Sequence, residues 1–215
     1  GAAINQLCRA NGADLQVVAL DLDNPTQDFT AGPAMTEAET LDAMARGAAA
    51  VDPGADILLL GEMGIGNSTI AAALTRAIFG GHAADWAGPG TGADAQGISH
   101  KARVIEAGIA RHAGILSDPL AVLAALGGRE QAAICGAVLA ARAARIPVIL
   151  DGFICTAAAS VLHPLPGEPL AHCLIGHASA EPGHRRLIAA LGKKAVLELD
   201  MRLGEGSGAA VALGV

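Results

Sequence analysis

Apolar and polar positions along the chain repeat with two periods, and the changes between them mark out the elements. Ile4, Leu7 and Cys8 fall on one helical stripe, and Gly12 stands where such a helix would stop. Residues 15–20 form a short apolar run with the length of a strand. The polar loop after it gathers Asp21, Asp23, Asn24 and Asp28, which raises a cation site; it lacks the EF-hand spacing and its closing glutamate, so a solvated loop is expected. Thr36-Glu37-Ala38-Glu39 is a capping box, and it predicts a helix to Val51 that Asp52-Pro53-Gly54 ends. The unbroken apolar run 57–60 then reads as a central strand buried on both faces. With residues 15–20 it makes a strand-helix-strand unit, which predicts parallel strands and a right-handed crossover.

Further along, residues 70–78 read as helix, and a second helix, carrying Lys101 near its start, runs to His112. Asp118 caps a short helix with Pro119 at its first position. Residues 130–144 are apolar on nearly every side and predict a largely buried helix that could also serve a subunit contact. Residues 147–150 and 172–175 read as strands; residues 153–162 and 182–191 read as helices, and 209–213 as a final helix-like run. Strands near 15, 57, 148 and 172 alternating with helices predict a single α/β domain over residues 1–215. The expected architecture is doubly wound and Rossmann-like, a mainly parallel sheet with helices on both faces.

Composition changes this picture in one respect. Hydrophobic residues make up 52% of the chain but aromatic ones only 2%, with no Tyr and a single Trp, so the core must be built of Ala, Leu, Ile and Val in close contact. A net charge of −7 argues against a broad nucleic-acid or anionic-membrane surface, so any anion site must be local. The four cysteines form no C-x-x-C pair and sit in apolar segments, as buried thiols in a reducing cytoplasm do. The scattered histidines offer no metal-ligand spacing, and no apolar run reaches the roughly 18 residues that span a bilayer.

Chemistry concentrates in the turns. After the run 57–60 come Gly61-Glu62-Met63-Gly64-Ile65-Gly66-Asn67-Ser68-Thr69, a tight glycine turn ahead of a helix start. There backbone N–H groups and the positive end of the helix dipole suit a phosphate. The spacing is neither a Walker A loop nor G-x-G-x-x-G. Glu62, awkward beside a phosphate, is expected to address another part of the ligand. A second glycine cluster, Pro89-Gly90-Thr91-Gly92, precedes Lys101, a cation able to close over an anion held by both turns. Asp151 stands at a strand's C-terminal end, where open α/β sheets bind ligands, and Ser179 follows the next strand. Near the end, Glu205 lies between Gly204 and Gly206.

Residues 61–69, Gly90-Thr91-Gly92 with Lys101, Leu150-Asp151-Gly152-Phe153 and residues 202–208 together resemble the nicotinate-nucleotide:dimethylbenzimidazole phosphoribosyltransferases. These enzymes make α-ribazole 5′-phosphate for the lower loop of cobalamin. The resemblance runs over residues 1–215 in order, and four motifs in series are far more specific than any one. It implies that Gly64, Ile65, Gly66, Asn67 and Ser68, with Gly90, Thr91, Gly92 and Lys101, hold the 5′-phosphate of nicotinate mononucleotide. Gly204 and Gly206 would lie close to that nucleotide, with Asp151 and Ser179 as further polar groups. Glu205 matches the family's general base, which takes a proton from one benzimidazole nitrogen while the other attacks C1′ of the ribose. Glu62 matches a second important carboxylate.

No cofactor or metal is implied, and the expected partners are nicotinate mononucleotide and a benzimidazole base. A cytoplasmic homodimer with no nucleic acid and no membrane partner is expected. Family members are longer, with an N-terminal segment ahead of the position of Gly1 that contributes part of the base pocket, including a His-Gly turn. The chain therefore resembles their later portion, and Ile70 stands where the family commonly has proline. Two alternatives share the same motifs: a nucleotide- or phosphate-binding relative without catalysis, and a transferase with a different aromatic acceptor. Glu62 and Glu205 favour an enzyme, because a mere anion binder gains nothing from adjacent carboxylates.

Overall fold

The computed structural model describes residues 1–90 and 92–215; Thr91, expected in the phosphate grip, lies outside the described residues. In chain order the elements are α1 (Ala3–Asn11), α2 (Glu37–Ala49), β1 (Leu58–Leu60), α3 (Asn67–Phe79), α4 (Ala95–Arg111), α5 (Pro119–Leu126), α6 (Arg129–Ala144), β2 (Val148–Leu150), α7 (Gly152–Ser160), β3 (Cys173–His177), α8 (Pro182–Ala190), β4 (Ala195–Leu197) and α9 (Ser207–Leu213). The caps foreseen are in place. Thr36 Oγ1 accepts from Glu39 N while Glu39 accepts from Thr36 N at 2.8 Å. Asp118 accepts from Leu120 N and Ala121 N at the start of α5.

The four strands are all parallel and lie in the order β1-β2-β3-β4, which follows the chain without a reversal. Leu58 and Leu60 of β1, Val148 and Leu150 of β2 and Cys173 and Ile175 of β3 face the main core, built with α3, α5, α6 and α7. Ile57, Leu59 and Ile149 face the other way, onto Ala209 and Ala212 of α9. Helices thus cover both faces, one with the crossover helices and the other with the last helix. α1 rests on α9, where Asn11 Nδ2 donates to Ala210 O at 2.9 Å.

Two expectations about the sheet are corrected. Residues 15–20 form no strand: Leu15, Val17 and Val18 are 44%, 80% and 40% exposed, and β1 pairs with β2 alone. An apolar run becomes a strand only beside a partner that satisfies its N–H and C=O groups, and this one has none among the described residues. The strand-helix-strand unit expected over residues 15–60 is therefore absent, and β1 is an edge strand, not a central one. The fourth strand is β4, three residues between Lys194 and Glu198.

Small residues allow close packing of helix on sheet, where a Cβ on Gly176 of β3 would stand 3.0 Å from Ala209 Cα of α9, and of helix on helix. α2 and α6 approach until a Cβ on Gly47 or Gly136 would collide with the backbone of Ala133 or Met44. Trp86, 1% exposed, closes the core behind the second glycine cluster: its Nε1 donates to Gly80 O at 2.9 Å and Arg186 lies over its ring, 5.0 Å from the centroid. Among the described residues no helix is long and apolar enough to cross a membrane.

Candidate active site

A parallel sheet delivers every strand's C-terminal end to the same edge, and the candidate residues stand there. β1 runs into residues 61–66, and Gly66, with φ +79°, caps α3. Ser68 lies in the first turn of α3. Lys101 comes across from α4, its Nζ donating to Ser68 Oγ at 3.1 Å and to Gly88 O at 3.2 Å. A Cβ on Gly90 would stand 2.8 Å from Ser68 Oγ and 3.0 Å from Lys101 Nζ. The helix start, the second glycine cluster and the lysine therefore meet. The combination of N-terminal N–H groups, a hydroxyl and an ammonium is suited to a phosphate.

Glu181, which sequence reasoning missed, supports this corner. Its Oε1 accepts from Gly90 N at 2.8 Å, while its Oε2 is buried with no hydrogen-bond partner. From sequence it reads as an ordinary acidic residue ahead of α8. Ile65 and Gly92 are exposed, and Met63 and Leu203, 70% and 60% exposed, add apolar side chains to the loops that carry the carboxylates.

The first of those carboxylates is Glu62, partly buried. Burial pushes its pKa up from 4.5 to about 7, helped by the negative charge of Glu130 and, more weakly, of Asp151 and Glu205; a hydrogen bond from Asn67 Nδ2 to its Oε2 opposes the rise. Near neutral pH such a group exchanges its proton readily. Glu130 was not foreseen either. It opens α6 directly beneath the glycine turn, where its Oε1 accepts from Gln131 Nε2 at 3.0 Å and would stand 2.7 Å from a Cβ on Gly64. No motif surrounds it in the sequence; only the fold brings it beside Glu62.

Glu205 arrives from the loop after β4, in a left-handed backbone conformation with φ +60°. Its loop is held from two sides. On one, Gly61 presses against it: a Cβ at Gly61 would lie 2.5 Å from Gly206 Cα and 3.0 Å from the carbonyl carbon of Glu205. On the other, Asp151, 4% exposed, accepts from Gly206 N on Oδ2 and from Ala209 N on Oδ1, both at 2.9 Å. His177 Nε2 lies 3.3 Å from the same Oδ1. Asn67, Lys101 and Glu205 are therefore linked by a short run of contacts: Lys101 to Ser68, Asn67 to Glu62, and Gly61 to Gly206.

Ser179, expected near the nucleotide, is buried behind this edge. Its N–H donates to His184 Nδ1 at 3.0 Å, which puts the ring proton on Nε2, 3.1 Å from Thr156 Oγ1. Burial lowers the His184 pKa to about 3, with the nearby His177 acting in the same direction, so the ring is neutral. Among the described residues no group of three or more His, Cys, Asp or Glu could hold a metal ion, and Asp28, in the loop weighed as a cation site, accepts from Thr30 N and Oγ1. A recess of about 360 Å³ lined by Asn5, Cys8, Arg9, Ala13, Asp14 and Leu15 shares no residue with these loops. The site is recognised by its chemistry and not by the size of a hollow.

A family model described as "Phosphoribosyltransferase" matches residues 1–215. A curated relative from Rhodobacter capsulatus, named "Nicotinate-nucleotide--dimethylbenzimidazole phosphoribosyltransferase", is 66% identical over 215 residues. One of the same name from Cereibacter sphaeroides is 55% identical. Each comparison covers 100% of this chain and 64% of the relative, so the chain spans just under two thirds of their length. Among solved structures, CobT from Thermus thermophilus is similar with a TM-score of 0.88 at 40% identity, covering 100% of this chain and 70% of that one.

Proposed function

We propose, from the premise that the chain belongs to the phosphoribosyltransferase family whose model spans it, that it transfers the phosphoribosyl group of nicotinate mononucleotide to 5,6-dimethylbenzimidazole. The products are α-ribazole 5′-phosphate and free nicotinate. The observation that carries the reading is the meeting of a phosphate-type corner, Ser68, Gly90 and Lys101, with two glutamates on loops in backbone contact, Glu62 and Glu205. The names of the similar relatives supply the substrates.

In this mechanism the 5′-phosphate sits against the start of α3 and Lys101, which fixes the ribose over the carboxylates. One benzimidazole nitrogen attacks C1′ from the face opposite the departing ring, so β configuration becomes α. The C1′–N bond to nicotinate breaks and its electron pair returns to the pyridine nitrogen. Glu205 takes the proton from the other benzimidazole nitrogen. Positive charge that develops on the sugar is stabilised by the neighbouring carboxylates, and holding both substrates in one place supplies much of the rate. Met63 and Leu203 are apolar groups suited to the flat base.

The same reading takes residues 1–215 as one α/β unit, a homodimer, in the cytoplasm. The four cysteines, all free and buried, fit a reducing compartment. α6 packs against α2 and α7 within the chain and leaves Leu139 exposed. The decisive experiment incubates the protein with nicotinate mononucleotide, with and without dimethylbenzimidazole, and follows nicotinate and α-ribazole 5′-phosphate by mass spectrometry. Base-dependent release of nicotinate is expected. Nucleotide binding without release would replace the transferase with a binder.

A further inference from the structure

We infer that Asp151 is a positioning residue for Glu205: its carboxylate, backed by His177, holds the left-handed turn in which Glu205 stands, and it does not itself meet the nucleotide. The inference rests on the reading of Glu205 as the base, and it changes the role that resemblance gives Asp151. Both carboxylate oxygens are engaged by the chain. Oδ2 takes Gly206 N, the amide directly after Glu205, and Oδ1 takes Ala209 N, each at 2.9 Å. His177 Nε2 approaches Oδ1 at 3.3 Å. A carboxylate this deeply buried is tolerated because charge-assisted bonds replace its water. Little acceptor capacity is left for a ribose hydroxyl.

The surroundings are arranged around this clamp. His177 is 2% exposed and, among the described residues, its Nδ1 has no hydrogen-bond partner while its Nε2 lies against Asp151. A Cβ on Gly208 would collide with the His177 ring and come within 2.8 Å of Asp151 Oδ1, which reserves that space for the pair. Gly204, Glu205 and Gly206 have φ of +77°, +60° and +79°, a succession that a residue with a side chain enters only when held. Asp151 N donates to Leu60 O at 3.1 Å, one residue before Gly61, and Gly61 touches Gly206. The clamp therefore ties the Glu205 turn to the strand end that bears Glu62.

The test is Asp151→Asn, of equal size, in which one accepting oxygen becomes a donor facing a backbone N–H. We expect kcat for transfer to fall about 100-fold, the effect of a misplacement of roughly 1 Å. The KM and Kd for nicotinate mononucleotide should hold, because Lys101, Ser68 and Gly90 are untouched. In a Glu205→Gln background the same substitution should cost nothing further, since Asp151 acts through Glu205. Hydrogen exchange at the Gly206 and Ala209 amides should quicken at least tenfold, about the loss of one hydrogen bond. Unchanged exchange, an equal drop in the Glu205→Gln background, or a weakened nucleotide Kd would overturn the inference.

The exchange measurement needs no turnover, so it decides the clamp even if the chain transfers nothing, which would count only against the transferase reading. Should Asp151→Asn fail to fold, His177→Leu removes the imidazole beside Oδ1 and leaves the carboxylate. It should lower kcat and quicken the same amides, with His177→Gln restoring both; wild-type behaviour of His177→Leu would overturn the clamp.

Discussion

Replacing Gly61 by alanine moves the Glu205 turn without removing a polar group, the new Cβ meeting Gly206 N first. The new methyl would lie 2.5 Å from Gly206 Cα and 3.0 Å from the Glu205 carbonyl carbon, where an ordinary carbon contact needs roughly 3.5 Å. Both obstacles are backbone and cannot rotate aside, so the turn must retreat by about 1 Å. Asp151 holds its far side. Strain of this kind costs stability of about 1 to 3 kcal/mol. A 1 Å error at a reacting group costs on the order of 100-fold in rate, or about 2.7 kcal/mol of barrier. The expected outcome is kcat down roughly 100-fold with the KM for nicotinate mononucleotide changed by less than about threefold, the pattern of an interaction made only in the transition state. Nicotinate release gives both constants, and circular dichroism verifies the fold. A folded Gly61→Ala protein with wild-type kcat would refute the claim that this backbone contact sets the spacing of the two glutamates.

Lys101→Ala should weaken nicotinate mononucleotide binding by about 1 to 3 kcal/mol, the worth of one charge-assisted contact; an unchanged dissociation constant by calorimetry removes the lysine from the grip. Glu205→Gln should keep nucleotide affinity and lose all but a slow residual transfer, and undiminished nicotinate release would mean that the base lies elsewhere. Glu62→Gln should stabilise the fold at high pH. Folding raises the Glu62 pKa from 4.5 to about 7, so the stability tied to its proton is full below 4.5 and lost as pH climbs to 7. Glutamine removes that loss, a gain of up to about 3 kcal/mol above pH 7. Urea midpoints of variant and wild type should therefore diverge from pH 5 to pH 8; a constant difference would contradict the raised pKa.

Local signals were legible wherever the chemistry is local. The Thr36 capping box, Asp118 ahead of Pro119 and the glycine turn after residues 57–60 each declare their structure within a few residues. Residues 15–20 misled because strand formation depends on a partner, and apolarity cannot report one. β4 escaped notice because three residues beside two lysines show almost no period. In the site, Ser68, Gly90 and Lys101 were singled out and the structure brings them together, since glycine turns, a helix start and a cation are each visible within a few residues. Glu130 and Glu181 were invisible for the opposite reason: each looks like an ordinary acidic residue at a helix start, and its importance lies wholly in which loop the fold sets against it. Asp151 was singled out for its place at a strand end, but its bonds run to a loop more than fifty residues away in the chain, a distance no spacing rule covers.

Trp86 is the chain's one indole, with no tyrosine to overlap its emission. It is sealed from water and sits two residues before Gly88, whose carbonyl takes the Lys101 ammonium. Tryptophan emission from this chain is therefore a single-site optical signal rooted beside Gly88 and Lys101. A change in that emission on adding nicotinate mononucleotide would report, without a label, that the phosphate corner proposed above is filled.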